Sequence, residues 1–151
     1  MGRPPRPTRN EYVAWRRATT RWADDDAYGH MNNATYYELF DTAVNAHLFE
    51  ATGLNVRLLP AIGVVAETSC RYFAELGFPG PIDMGLVVDA VGASSVTYRI
   101  GLFQGDPDEA AAEGRFVHVY VDNEGGPGSR PVRPIPAEIR TVVEQLLQLS
   151  G

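Results

Sequence analysis

From Asn33 to about Thr52 the chain runs without Gly or Pro, and Tyr36, Tyr37, Phe40, Ala43, Val44, His47 and Leu48 recur at helical spacing. This predicts a long helix. Gly53 stands where a left-handed C-terminal residue belongs. Glu38, Asp41, Asn45 and Thr52 form a narrow polar stripe, and apolar residues cover most of the remaining circumference. Such a helix should be buried on more than one side. The next stretch switches to period two. Val64, Ala66, Thr68, Cys70, Tyr72, Ala74 and Leu76 are expected to face one way, and Glu67, Ser69, Arg71 and Glu75 the other. The second set makes a wet or interfacial face.

Glu11 to Trp22 mixes β-branched and aromatic residues with charges and reads as a first strand. Gly77 to Pro81 is a turn, with two Gly and two Pro. Three more strands follow: Ile82 to Val91, Ser95 to Phe103 and Arg115 to Val121. In the second of these, Val96, Tyr98, Ile100 and Leu102 form the apolar face. Gly92-Ala93 is a short hairpin link, Gly105 to Gly114 a longer one, and Asn123 to Pro136 a Gly/Pro loop. Pro136 to Leu149 reads as a terminal helix, with Ile139, Val142, Val143, Leu146 and Leu147 on its apolar side. The order is strand, helix, four strands, helix. Consecutive strands with short links imply antiparallel pairing. The first helix must bury a broad surface, and the sheet is the one partner large enough. An α+β domain over residues 11–151 satisfies both: a five-stranded antiparallel sheet curved round a long central helix, closed by a C-terminal helix. Residues 1–10, with Pro4, Pro5 and Pro7, are expected to form a flexible arm.

Composition narrows the function classes. The 151 residues are 44% hydrophobic and 21% charged, as in an ordinary globular domain able to bury a core. No apolar run approaches the ~18 residues of a membrane span, and the polar, Arg- and Pro-rich start does not read as a secretory signal. Cys70 is the single cysteine, which excludes an internal disulfide and a cysteine-rich zinc site. The three histidines share no ligand spacing, so no metal and no cofactor is expected. The cytoplasm is the default compartment. A net charge of −6 argues against a general nucleic-acid binder. All 13 basic residues are Arg, so a phosphate would have to be met by Arg, a backbone N–H or a polar side chain.

The stretch most suggestive of chemistry runs from Trp22 to Tyr37. The acids Asp24, Asp25 and Asp26 meet a glycine turn at Gly29, then Asn32 and Asn33, then the long helix. A carboxylate is thereby placed ahead of a helix N-terminus, where unpaired N–H groups and roughly half a positive charge reside. That combination suits attack on a carbonyl.

The pattern Asp24-x-Asp26-x-x-Gly29-His30-x-Asn32-Asn33-x-x-Tyr36 resembles the acyl-CoA thioesterases of the hotdog fold, most closely the branch that includes 4-hydroxybenzoyl-CoA thioesterase. The order of elements matches that family over roughly residues 11–148. Arg71-Tyr72, Asp83, Val119-x-Val121-Asp122 and Arg130-Pro131-x-x-Pro134-x-Pro136 also resemble its later strands and exit. The resemblance implies that Asp26 is the catalytic carboxylate, attacking the thioester carbon or taking a proton from water. It also implies that the backbone N–H of Asn33 is the oxyanion donor. Loss of such a donor typically costs about 3–4 kcal/mol in barrier height. His30 would assist by positioning water or Asp26. Tyr28, Gly29, Asn32, Tyr36 and Arg71 are the candidate substrate contacts. The plant acyl-carrier-protein thioesterases share a kindred pattern, Asp-x-Asn-x-His-x-Asn-Asn, from which this chain departs at Tyr28.

Plainer readings stand beside these. The three acids alone could be a solvated loop, Asn32 a simple helix cap, and His30 a turn residue. His47 and His118 read as packing or surface residues, Cys70 as a small core residue, and Glu38 as part of the polar stripe. An open-edged sheet with a half-covered helix calls for a partner. The family implies a homodimer with two active sites at the interface, paired further into a tetramer, and an acyl-CoA substrate. Arg71, Arg99, Arg115 and Arg130 are the candidates for the coenzyme A phosphates. The competing reading is a noncatalytic hotdog module that binds an acyl thioester.

Overall fold

The computed structural model describes residues 5–125 and 128–147. Helix α1 (Asn33–Thr52) spans the predicted 20 residues. Asn32 precedes it in extended backbone, and its Oδ1 accepts the Ala34 N–H at 3.0 Å, closing the first turn. Gly53 ends it at φ 69°, with its N–H returning to the Phe49 carbonyl. A side chain would be strained in that conformation. Tyr36, Phe40, Ala43, Val44 and Leu48 are buried along one stripe, while Glu38, Asp41 and Thr42 stay exposed. Burial on more than one side is therefore not reached within this chain, because it supplies a single sheet and one short helix to cover α1.

Five antiparallel strands, β1 (Ala14–Ala18), β2 (Ala61–Tyr72), β3 (Ile82–Val91), β4 (Ser95–Phe103) and β5 (Ala112–Asp122), lie in the order β1-β3-β4-β5-β2. Helix α2 (Ala137–Gln145) follows. The expected apolar face of β4 is fully buried at Val96, Tyr98, Ile100 and Leu102. It packs with α1 and with Ile139, Val142, Val143 and Leu146 of α2 into one core. Gly114 on β5 lets α1 approach: a Cβ there would clash with the Phe40 ring. This is the hotdog arrangement that the sequence resemblance implies.

Several boundaries differ from the sequence reading. The first strand is Ala14–Ala18 rather than Glu11–Trp22, flanked by 3-10 turns at Arg9–Glu11 and Trp22–Asp24. The Glu11 and Asp24 carboxylates accept the Thr8 and Arg21 N–H groups at 2.7 and 2.8 Å, which closes those turns. β2 stops at Tyr72 because the Phe73 and Ala74 N–H groups both turn to the Ala111 carbonyl. β5 begins at Ala112, earlier than expected, because its ladder with β4 and β2 extends that far. The terminal helix ends at Gln145, with Leu146 as its C-cap, short of the expected Leu149, which itself lies outside the described residues.

One difference is more than a boundary. A bulge between Val65 and Glu67 sets Val65 opposite His118 and Glu67 opposite Val117. The extra residue reverses the alternation. Val64 thus shares the outer face with Glu67, Ser69 and Arg71, while Val65 joins Thr68, Cys70 and Tyr72 on the α1 face. The described part of the expected arm lies along the sheet. Arg6 donates to the Ala110 carbonyl, Arg9 pairs with Asp83 at 3.2 Å, and the Ala110 N–H bonds Pro7. No helix among the described residues is long and apolar enough to cross a membrane.

Candidate active site

Between β1 and α1 the chain makes a narrow hairpin. Asp26 donates its N–H to the His30 carbonyl at 2.7 Å, Asp25 pairs with Met31, and the Asn32 N–H reaches the Asp24 carbonyl at 2.8 Å. The hairpin therefore returns the acidic run to the head of α1. The Met31 N–H bonds Leu76, tying the return strand to the end of the β2 segment.

The three acids have three different tasks. Asp24 is buried, and its carboxylate holds the Arg21 guanidinium at 2.8 Å and the Arg21 N–H. Burial alone would raise its pKa, but these Arg21 contacts together hold it below the usual value. Asp25 turns both oxygens toward the Phe78 N–H at 3.3 Å. Asp26 is exposed, and its Oδ1 accepts the His30 and Tyr28 N–H groups at 3.1 and 2.8 Å. Those two backbone donors hold its carboxyl below the ordinary carboxylate range. Its Oδ2 takes no hydrogen bond among the described residues.

At the helix head, the Ala34 N–H is taken by Asn32 Oδ1 and the Thr35 N–H by the Asn32 carbonyl. The Asn33 N–H has no acceptor among the described residues. It is the free donor of a 20-residue helix, where the dipole favours negative charge. His30 Nε2 lies 3.1 Å from Glu75 Oε1, so the imidazole is steered by a carboxylate from beyond β2. Tyr28 is 86% exposed at the hairpin tip. Tyr36 is buried beneath the first turns of α1, its ring 4.9 Å from Tyr72.

The structure thus brings Asp26, Tyr28, Gly29, His30, Asn32 and Asn33 into one hairpin and helix head, with Tyr36 beneath. Arg71 is not part of that group. It lies on the outer face of the sheet, where its guanidinium meets Glu113 Oε1 at 2.7 Å. Arg99 and Arg115 share that face and pair with Asp89 and Glu67. Burial pushes the Cys70 thiol up to about 11, which suits a packing residue rather than a nucleophile. Sequence reasoning missed the Arg21–Asp24 clamp, although an acid three residues after Arg21 is its signal. It also left His118 undistinguished, although Phe116-x-His118-x-Tyr120 sets it on an aromatic face.

A family model described as the thioesterase-like superfamily matches residues 20–143. The PA5185 protein of Pseudomonas aeruginosa is 46% identical, with a TM-score of 0.88 over 97% of this chain and 100% of its own. The gentisyl-coenzyme A thioesterase BH1999 is 20% identical at a TM-score of 0.73, covering 86% of this chain and 99% of its own. The 1,4-dihydroxy-2-naphthoyl-CoA thioesterase of Synechocystis is 15% identical at 0.76, covering 87% and 96%. These last two likenesses are of fold. The YsmA protein of Bacillus subtilis is 25% identical over 118 residues, 78% of this chain and 79% of its own.

Proposed function

The chain belongs to the thioesterase-like superfamily, and on that premise we propose that it hydrolyses acyl-CoA thioesters, with Asp26 as base or nucleophile and the Asn33 N–H as oxyanion donor. The observation that carries this reading is the unspent Asn33 N–H, seven residues after a carboxylate that is held ionised with one oxygen free. A thioester carbonyl oxygen accepts the Asn33 N–H, and the carbonyl carbon then faces the hairpin. In one route Asp26 Oδ2 attacks that carbon, the C–S bond breaks and coenzyme A leaves as thiolate. Water then hydrolyses the acyl–aspartyl anhydride and restores the carboxylate. In the other, Asp26 takes a proton from water as the water attacks, and the proton passes to the leaving sulfur. Both routes put negative charge on the carbonyl oxygen, and the helix head stabilises it. His30, steered by Glu75, orients the water.

The working unit in this proposal is a homodimer, with pairing into a tetramer as a further step. β2 is a 12-residue edge strand whose residues 64–69 are exposed on both faces. Long, uncovered edges of this kind are pairing surfaces. Asp26→Asn tests the chemistry. Asparagine Oδ1 can still accept the Tyr28 and His30 N–H groups, so the hairpin keeps its geometry. Thiol release from a panel of short, long and aromatic acyl-CoAs should fall by at least ~100-fold with the melting temperature unchanged. Normal turnover in that variant refutes the assignment.

A further inference from the structure

A cavity of about 170 Å³ lies far from the hairpin, between the C-terminal half of α1, the start of β2, β5 and α2. Leu48, Leu59, Ile62 and Ile139 give it apolar walls. One wall is polar. His118 is 2% exposed, and its Nδ1 has no hydrogen-bond partner. Its surroundings are the rings of Phe116, Tyr98 and Tyr120, at 5.1, 5.8 and 6.3 Å. Gly63 also lines the cavity, and a Cβ there would come within 2.8 Å of His118 Nδ1. The missing side chain at position 63 keeps the space beside that nitrogen open. A buried polar atom left unpaired is an exception in native proteins, and a ligand group is one way to satisfy it. Burial lowers the His118 pKa to about 4, so the ring is neutral near pH 7 and offers one donor and one acceptor.

We infer that this cavity receives the acyl group of a substrate thioester and that His118 hydrogen-bonds a hydroxyl or keto substituent carried on it. The inference rests on the thioesterase reading above. Asn45, on the cavity wall, stands twelve residues along α1 from Asn33, about 18 Å at 1.5 Å per residue. A compact acyl group cannot bridge that distance within one protomer. A second copy shortens it. Edge-to-edge antiparallel pairing of β2 with β2, at full overlap, sets Ala61–Gly63 of one copy against the Cys70–Tyr72 end of the other. Tyr72 is the residue whose ring meets Tyr36 at the head of α1. The cavity of each protomer then opens beside the catalytic hairpin of its partner, and neither site is complete alone.

The test compares matched pairs: benzoyl-CoA with 3- and 4-hydroxybenzoyl-CoA, and hexanoyl-CoA with 3-hydroxyhexanoyl-CoA. Thiol release is followed for the whole protein, and calorimetric binding of the corresponding non-hydrolysable thioethers is measured beside it. The wild type should favour a hydroxylated member by tenfold or more in kcat/KM and in affinity. His118→Leu should bring that ratio close to one, and His118→Gln should keep part of it. A purely structural role for His118 would change both members of a pair alike. Cleavage that depends on Asp26 but shows no preference in either assay overturns this inference and leaves the thioesterase reading standing. Preferential binding lost in His118→Leu, with no cleavage of any thioester, supports the cavity assignment and overturns the thioesterase reading. Neither cleavage nor binding overturns both.

Discussion

Tyr12 donates its phenolic hydrogen to the Glu113 carboxylate at 2.5 Å, joining residues 101 positions apart across the outer face of the sheet. Both are buried, and Glu113 also takes Arg71 at 2.7 Å and Arg99 at 3.1 Å. Burial, reinforced by the Glu113 bond, pushes the Tyr12 phenol well above its ordinary value. One carboxylate thus ties the segment before β1 to β2, β4 and β5 on the face that α1 does not cover.

Removing that carboxylate leaves the buried Tyr12 hydroxyl without its acceptor and takes one carboxylate from each arginine, Arg99 keeping Asp89. Glu113→Ala should lower stability by about 3 kcal/mol, because it strands the buried Tyr12 hydroxyl and removes charged hydrogen bonds to both arginines. Tyr12→Phe should cost less, about 2 kcal/mol, because it deletes one hydrogen bond to a charged group and leaves both arginines in place. Urea unfolding of the two variants checks the order. Equal costs would show that the ion pairs to Glu113 add nothing to the hydroxyl.

His118 makes stability depend on pH. The unfolded imidazole takes a proton below about pH 6.5, whereas the folded one stays neutral down to about 4. Between those values unfolding takes up a proton, so stability present above pH 6.5 is lost as the pH falls toward 4. A shift of this size amounts to ~3 kcal/mol at full extent. Chemical unfolding from pH 7 to pH 4 should show that slope, and His118→Leu should flatten this part of it. An unchanged slope in the variant would place the effect elsewhere.

The lowered pKa of Asp26 sets the acid side of the activity profile. The His30 and Tyr28 N–H groups favour the ionised form, so the carboxylate should remain charged well below neutrality. kcat/KM should hold from about pH 8 down to about pH 5 without an acid limb from this residue, since an ordinary aspartate titrates near 3.9. A limb that appears above pH 5 and disappears in Asp26→Glu would contradict this assignment.

The β2 edge can be closed to a partner without touching the hairpin. Val65 is 47% exposed near the middle of the strand, close to any two-fold axis through it. Val65→Lys would set like charges against each other across that axis. Sedimentation should then report monomers at micromolar concentration. Thiol release should fall with the dimer, while Asp26 and Asn33 stay in place. A variant that is monomeric and fully active would remove the need for a second subunit.

Much of this molecule is written locally. Helix α1 appears at its predicted ends because its signals are local: the apolar spacing, the Asn32 cap and the left-handed Gly53. Strands β3 and β4 match their predicted spans, and the alternation in β4 picks out four fully buried residues. The acidic hairpin returns to the helix head through its own bonds between residues at most eight apart, although Met31 to Leu76 and Phe78 to Asp25 anchor it from a distance. Distant pairing decided the rest. The bulge that moves Val64 to the outer face is set by the ladder of β2 on β5, about fifty residues downstream. Arg71 went to Glu113 because β5 lies beside it, which sequence spacing cannot reveal. His118 became a partnerless nitrogen beside a cavity only when α1, α2 and β2 closed over β5. Periodicity and caps act within a turn or a pleat. Register and burial depend on which remote segments meet, and that is settled when the whole chain packs.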